Sequence, residues 1–329
     1  MVAVPARRFS ATTPASRRLR AARAVCGWLP PIVAQTVRDA VYPRSVARAE
    51  ACTFTATSVT GSPFSGSTAD HVAYPFAVHG YFNWRNVAIA RAVCRPGDVV
   101  YDVGANLGSE TVAFSDVVGP RGRVIAFEPF PANVEQLRAN AAAVSSANVE
   151  VRPIALGEGE GEIHFTPPAS GNSGSGHIAG NGDDLAGAVA VSCTTLDALR
   201  ADGLPPARLI VIDAEGHEAA ILRGAVHTLD HDRPVVAFEA VGELLARAGS
   251  GVGELAALMA QSRYALSEIR RLGLAPIGDG AAIPDSSDWL AVPREQAFLI
   301  AAVQRTLRRG ALAPCLPGLN PLCGSRDGR

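Results

Sequence analysis

From residue 99 onward, short apolar runs alternate with stretches in which apolar residues recur at helical spacing. Residues 99–103, 123–127, 149–156, 209–212 and 235–238 read as strands, 99–103 a short buried-strand run and 209–212 strongly apolar, as when both faces of a sheet are covered. Residues 109–118, 131–144, 217–229 and 254–261 read as the helices around them, the first closed by Gly119-Pro120 and the second opened by Pro131. Residues 264–269 and 289–292 are candidates for a closing hairpin. This alternation predicts an α/β fold with a mostly parallel sheet and helices on both faces.

Outside that run the pattern weakens. Residues 83–94 have helical spacing through Trp84, Val87, Ala88 and Val93, and Arg95-Pro96-Gly97-Asp98 breaks it. Residues 51–83 are rich in Thr and Ser with scattered aromatics and read as short strands and turns. Residues 157–195 interrupt the alternation. They hold two strand candidates, 162–165 and 189–193, around the aperiodic GNSGSGHIAGNGDD, which reads as a mobile loop. A lid and a plain surface insertion both fit its position. The expected organisation is a basic, disordered arm over 1–50 with a short helix around 31–40, a cap over 51–95, an α/β domain over 96–300 carrying the insertion 157–195, and a tail over 301–329.

Composition narrows the function classes. The chain has 329 residues, 48% hydrophobic and 19% charged, with a net charge of −1. That balance gives the whole molecule no large electrostatic reason to bind nucleic acid or an anionic surface. No apolar run approaches the roughly 18–20 residues needed to cross a membrane. Together with the lack of an apolar stretch ahead of the first arginines, this gives a cytoplasmic expectation, although an Arg- and Ser-rich start also resembles an organelle transit peptide. All 30 basic residues are arginine, so a catalytic or phosphate-binding lysine is excluded. The six cysteines form no C-x-x-C pair and read as plain thiols in a reducing compartment, not as a disulfide or metal framework.

The chemistry-bearing stretch is DVVYDVGANLG, residues 98–108. Asp102 closes a strand, and Gly104 and Gly108 let the backbone turn tightly and approach a ligand. The helix behind them presents unpaired amides to an anionic group. The next strand ends in Phe127-Glu128-Pro129, placing an acid where it accepts hydrogen bonds from two ribose hydroxyls. A dinucleotide site would want glycine at Asn106. S-adenosylmethionine, with a carboxylate and an amine in place of phosphates, suits the spacing better. An NAD-type oxidoreductase and a cofactor-binding protein without chemistry stay open as alternatives.

The second stretch is IVIDAEGHE, residues 210–218. It gathers Asp213, Glu215, Glu218 and His217 at the ligand edge of the sheet. A helix start decorated with acids is the plain reading of the glutamates. Asp213, at a strand end, is a candidate base, and so is His217. The absence of an Asn/Asp-Pro-Pro-aromatic motif here argues against a nucleic-acid base as acceptor.

Taken in order, DVVYDVGANLGSETVAF, GRVIAFEPFPANVEQLRAN, NVEVRPIALGEGEGEIHF, the NSGS segment, CTTLDAL, LIVIDAEGHEAAILRGA and PVVAFEA resemble the FkbM family of S-adenosylmethionine-dependent methyltransferases over about residues 70–300. The resemblance implies a Rossmann-like class I methyltransferase fold with a seven-stranded sheet and an inserted β-hairpin. It also implies O-methylation of a hydroxyl on a sugar, polyketide or similar product, so a small-molecule or glycan acceptor. The family often has I-K-I-D in the fourth strand; Val211 stands in the lysine position here. On this reading Asp102, Gly104, Asn106, Gly108 and Glu128 bind the cofactor, with Pro129 or Phe130 against adenine. Asn172, Ser173 and Glu215 face the substrate. Asp213 or His217 takes the hydroxyl proton. Asp213, Glu215 and Glu239 would be oxygen ligands in a metal-assisted variant, which their spacing does not require.

Overall fold

The computed structural model describes residues 8–11, 15–168, 171–180, 185–278 and 283–324. The expected arm, insertion loop and tail lie partly outside the described residues, at 1–7, 12–14, 169–170, 181–184 and 325–329.

Eight strands build the main sheet among the described residues. They are β1 (Val99–Val103), β2 (Arg123–Phe127), β3 (Val149–Arg152), β4 (Leu209–Ile212), β5 (Val235–Val241), β6 (Tyr264–Arg270), β7 (Gly273–Pro276) and β8 (Ser286–Pro293). Their order is β7-β6-β8-β5-β4-β1-β2-β3. The five strands from β5 to β3 are parallel, while β8, β6 and β7 run antiparallel to their neighbours. The count corrects the seven strands expected. The hairpin partners 264–269 and 289–292 do pair, but β7 comes between them in the chain and adds an edge. Gly273 and Pro276 hid it, since both are poor strand formers and Pro is tolerated only at an edge.

Each central strand alternates between two cores. Val100, Val124, Leu209 and Val211 face the helices Trp84–Val93, Thr111–Val118 and Phe298–Leu312. Tyr101, Ile125, Ile210 and Ile212 face the helices Glu218–Arg223, Val226–His231 and Val252–Gln261. The chain leaves β1 toward β2 and β3, then crosses back to lay β4 on the other side of β1. That reversal opens a crevice at the carboxyl ends of β1 and β4, where an open α/β sheet binds ligands.

The insertion forms a second sheet. Its strand Gly161–Thr166 pairs antiparallel with Val189–Thr194, Phe165 opposite Val189, and the short strand His177–Ile178 adds an edge. The arm expectation needs correction. Residues 17–50 form three helices, Arg17–Cys26, Pro31–Val41 and Arg44–Glu50, and Leu19, Ala22, Cys26, Ala34, Tyr42 and Ala47 pack against Phe54, Phe64 and Phe76 of the segment that follows. Ser16 caps the first of them by accepting from the Leu19 amide at 3.0 Å. A seam in which alanine makes up half of the residues is too weak a signal beside so many arginines, and only the aromatic partner reveals it. Likewise the first part of the expected tail belongs to Phe298–Leu312, whose Leu299, Val303, Leu307 and Ala311 recur at helical spacing and are buried.

Candidate active site

A cavity of about 300 Å³ lies at the carboxyl ends of β1, β2, β4 and β5. Three loops and a roof make it.

The first loop follows β1. Gly104 and Ala105 both donate their amides to the Phe127 carbonyl at 3.0 Å, which turns the chain sharply across β2. Gly104 has φ 82°, and a Cβ there would sit 1.9 Å from the Asp213 carbonyl oxygen. Glycine is therefore needed for the approach of the β1 and β4 loops to each other. Asn106 also has positive φ, at 51°, a conformation asparagine tolerates better than most residues. Gly108, at φ 85°, does not line the cavity; a Cβ there would strike Leu137, so its contribution is to packing. Asp102 is buried at the floor and accepts from Thr111 Oγ1. Burial pushes its carboxyl up to about 6, with the threonine bond pulling the other way.

The second loop carries Glu128. Its two oxygens accept from the Asn106 amide at 2.8 Å and the Phe130 amide at 2.9 Å. The carboxyl is fixed in orientation and buried, yet it lines the cavity with lone pairs to spare. Burial raises it to about 7 against the pull of those amides. Pro129 and Asn133 line the cavity next to it. Phe130 does not; its ring stacks on Phe165 at 5.4 Å and so braces the insertion sheet.

The third loop follows β4. Asp213, Glu215 and His217 all face the cavity, joined by Glu239 from β5 and by Glu110. Glu218 does not belong to the lining. It is buried and accepts from the Ala214 amide at 2.9 Å and the Gly216 amide at 3.3 Å, holding the loop's shape. Carboxyls crowd this end. Burial, then the neighbouring charges of Glu239, Glu110, Glu215 and Asp288, hold Asp213 well above the usual carboxylate range. Burial and the charges of Glu218, Glu215 and Asp288 push Glu239 up to about 8. Burial, with the Arg223 cation beside it, holds His217 down to about 4, so the imidazole is neutral at pH 7. Its Nε2 makes no hydrogen bond. Among the described residues no three His, Cys, Asp or Glu side chains are placed to hold a metal ion.

The roof comes from the insertion and the N-terminal segment. Ser173 Oγ is 2.8 Å from Asn106 Oδ1, and its amide donates to Asp70 Oδ2 at 2.7 Å. Arg44 donates to the carbonyls of Asp70 at 2.7 Å and Gly171 at 2.6 Å, which latches the segment in place. Asn172 lines the cavity beside it. Sequence reasoning missed Glu110, Asn133 and the N-terminal latch. Glu110, two residues past the glycine loop, was legible as an acid near the ligand edge; Arg44 and Asp70 gave no signal.

The strand reversal, the glycine turn under a carboxylate, and the acid at the end of β2 define a class I S-adenosylmethionine-dependent methyltransferase fold, and S-adenosylmethionine is its cofactor. The donor set fits that molecule: Glu128 for hydroxyls, and an acidic end for a cationic sulfonium and amine. Residues 102–266 match the model described as the methyltransferase FkbM domain, half of the chain, and the chain belongs to that family. A hexuronic acid methyltransferase of Haloferax volcanii, AglP, is 26% identical over 133 residues, which are 40% of this chain and 52% of that protein. The chain thus spans about half the length of this curated relative. Among solved structures, a methyltransferase FkbM from Methylobacillus flagellatus KT is 16% identical, covering 60% of this chain and 43% of its own, with a TM-score of 0.38. The cofactor-bound protein Rv0187 from MTB is 17% identical, covering 64% and 78%, with a TM-score of 0.39.

Proposed function

We propose that this methyltransferase methylates a hydroxyl oxygen of a sugar or similar small-molecule or glycan acceptor. The observation that supports it most is the juxtaposition of Asp213 and His217 with Glu239 at the cavity edge where β4 and β5 end. An alcohol must lose its proton when its oxygen is methylated, and this edge supplies bases where a hydroxyl would enter. When bound, S-adenosylmethionine supplies an electrophilic methyl group; the chain supplies alignment, which is worth up to roughly 7–11 kcal/mol in favourable cases.

Glu128 is assigned to the ribose hydroxyls, because its carboxyl is oriented by two amides and still opens on the cavity. Asp102, Gly104 and Asn106 line the amino-acid end, and Pro129 the adenine side. Asn172 and Ser173 cover the acceptor, and Glu215 borders it. Of the two candidate bases, Asp213 is favoured. It stands at the end of β4 on the cavity beside Glu239, whereas burial and the Arg223 cation leave the His217 imidazole a weak base. The relative named for hexuronic acid supports a sugar as the class.

The test is methyl transfer to a panel of neutral and acidic sugars, with Asp213→Asn and His217→Ala beside the unmodified chain. Transfer to sugar hydroxyls that Asp213→Asn abolishes, with S-adenosylhomocysteine binding intact, supports the reading. Full turnover in Asp213→Asn removes Asp213 as the base, and transfer only to amines or carboxylates removes O-methylation of a hydroxyl.

A further inference from the structure

Net charge hides a strongly asymmetric surface. No acidic residue precedes Asp39 in the sequence. The helix Arg17–Cys26 turns Leu19, Ala22 and Cys26 inward, and Arg17, Arg18, Arg20 and Val25 are exposed on its outer side. Trp28, just beyond it, is 58% exposed, and Val33 on the next helix is 43% exposed. A third piece of chain joins them. Arg271 Nη2 donates to the Ile32 carbonyl at 2.9 Å, which brings the turn between β6 and β7, with Leu272 47% exposed at its tip, beside Val33.

The result is a set of projecting apolar side chains, Val25, Trp28, Val33 and Leu272, flanked by guanidinium groups. Val25 and Trp28 are joined by one turn, the Trp28 amide donating to the Val25 carbonyl at 3.3 Å, and the Arg271 bond to Ile32 brings Leu272 to the helix that carries Val33. Arginine stems lie along apolar surface while their heads reach phosphates. Tryptophan favours the boundary between headgroups and acyl chains. Basic residues beside exposed apolar side chains complement both the charge and the acyl boundary of an anionic bilayer.

We propose that this face docks the protein peripherally on a bilayer of anionic lipids, with Trp28 at the acyl boundary and Arg17, Arg18, Arg20 and Arg271 among the lipid phosphates. No span is involved: among the described residues no helix is long and apolar enough to cross a membrane. The proposal is independent of the methyltransferase reading.

Tryptophan fluorescence tests it. Trp84 and Trp289 are fully buried, so a change on adding vesicles reports Trp28. The full chain is mixed with phosphatidylcholine vesicles, with or without phosphatidylglycerol, and followed by emission and co-sedimentation. The expected result is sedimentation and a blue shift with phosphatidylglycerol only, weakened by salt. Brominated acyl chains quench the shifted emission. The triple variant R17Q/R18Q/R20Q binds about 100-fold more weakly, roughly fivefold per cation, with an unchanged thermal melt. Trp28→Ala removes the shift. Absence of sedimentation with phosphatidylglycerol vesicles overturns the proposal. So does binding that the triple variant retains, or a concentration-dependent dimer that shields Trp28, which would make a second copy the occupant.

Discussion

Gly104→Ala is the sharpest perturbation of the cofactor loop. The new methyl would stand 1.9 Å from the Asp213 carbonyl oxygen and 2.8 Å from its carbonyl carbon, both backbone atoms that cannot rotate away. The residue would also hold φ 82°, which costs a non-glycine residue about 1–2 kcal/mol. Relieving the clash means moving the β4 loop off β1, and overpacking of this kind costs about 1–3 kcal/mol. The sum is about 2–5 kcal/mol, which for a chain this long lowers Tm by about 3–7 °C. Gly159→Ala is the control, since nothing lies within 4 Å of its would-be Cβ, and its effect stays within about 0.5 kcal/mol. Calorimetric melting of both variants, followed by titration with S-adenosylhomocysteine, gives the answer. The expected outcome is a destabilised Gly104→Ala whose ligand affinity falls further than its stability explains, because Asp213 and the Gly104 turn line the same cavity. A Gly104→Ala that melts and binds like the unmodified chain would refute the close approach of the two loops.

Other outcomes follow from the same geometry. Asp213→Asn lowers turnover by about 10²–10⁴-fold while leaving S-adenosylhomocysteine binding within a few-fold in a calorimetric titration. His217→Ala keeps turnover within about tenfold, because an imidazole held at about 4 is a weak base at neutral pH; a larger loss in a steady-state assay would return the role to the histidine. Stability falls as pH rises from 6.5 to 8. Glu128 and Glu218, raised to about 7, and Glu239, raised to about 8, bind protons more tightly folded than unfolded, so ionising them favours the unfolded chain. His217 has the opposite sign, but its window lies between about 4 and 6.5 and is finished before this one. Tm measured across that range should drop, and Glu239→Gln should flatten the slope; a flat or rising profile in the unmodified chain would contradict the burial of these carboxyls. Ser173→Ala removes the bond to Asn106 and raises KM for cofactor or acceptor without moving Tm, because that bond ties the cavity roof to the β1 loop.

The inner parallel strands were legible because they are largely apolar runs bounded by Gly and Pro, while β3, Val-Glu-Val-Arg at the sheet edge, alternates instead. Gly104, Asn106 and Glu128 were legible as a set, since a turn, an approach and an acid have fixed places after successive strands. The reasons for Gly108 and Phe130 were not. Both looked like ligand contacts from their neighbours in sequence, but Leu137 and Phe165, which explain them, arrive from a helix and a sheet elsewhere in the chain. The N-terminal helices stayed hidden for a similar reason. Half of their inward residues are alanine, which buries little area for each residue, and what makes the face a core is the aromatic cluster of Phe54, Phe64, Tyr74 and Phe76 beyond it. The edge strand at Gly273–Pro276 has no periodicity to read in four residues.

The most direct test of the account is calorimetric titration of the purified chain with S-adenosylhomocysteine, beside NAD and a Glu128→Gln variant. The expected result is saturable binding of S-adenosylhomocysteine, none of NAD, and at least a tenfold loss in Glu128→Gln, corresponding to about 1.4 kcal/mol for a charged hydrogen bond to hydroxyls. Binding of NAD instead, or affinity that Glu128→Gln leaves unchanged, would contradict the assignment of the cavity.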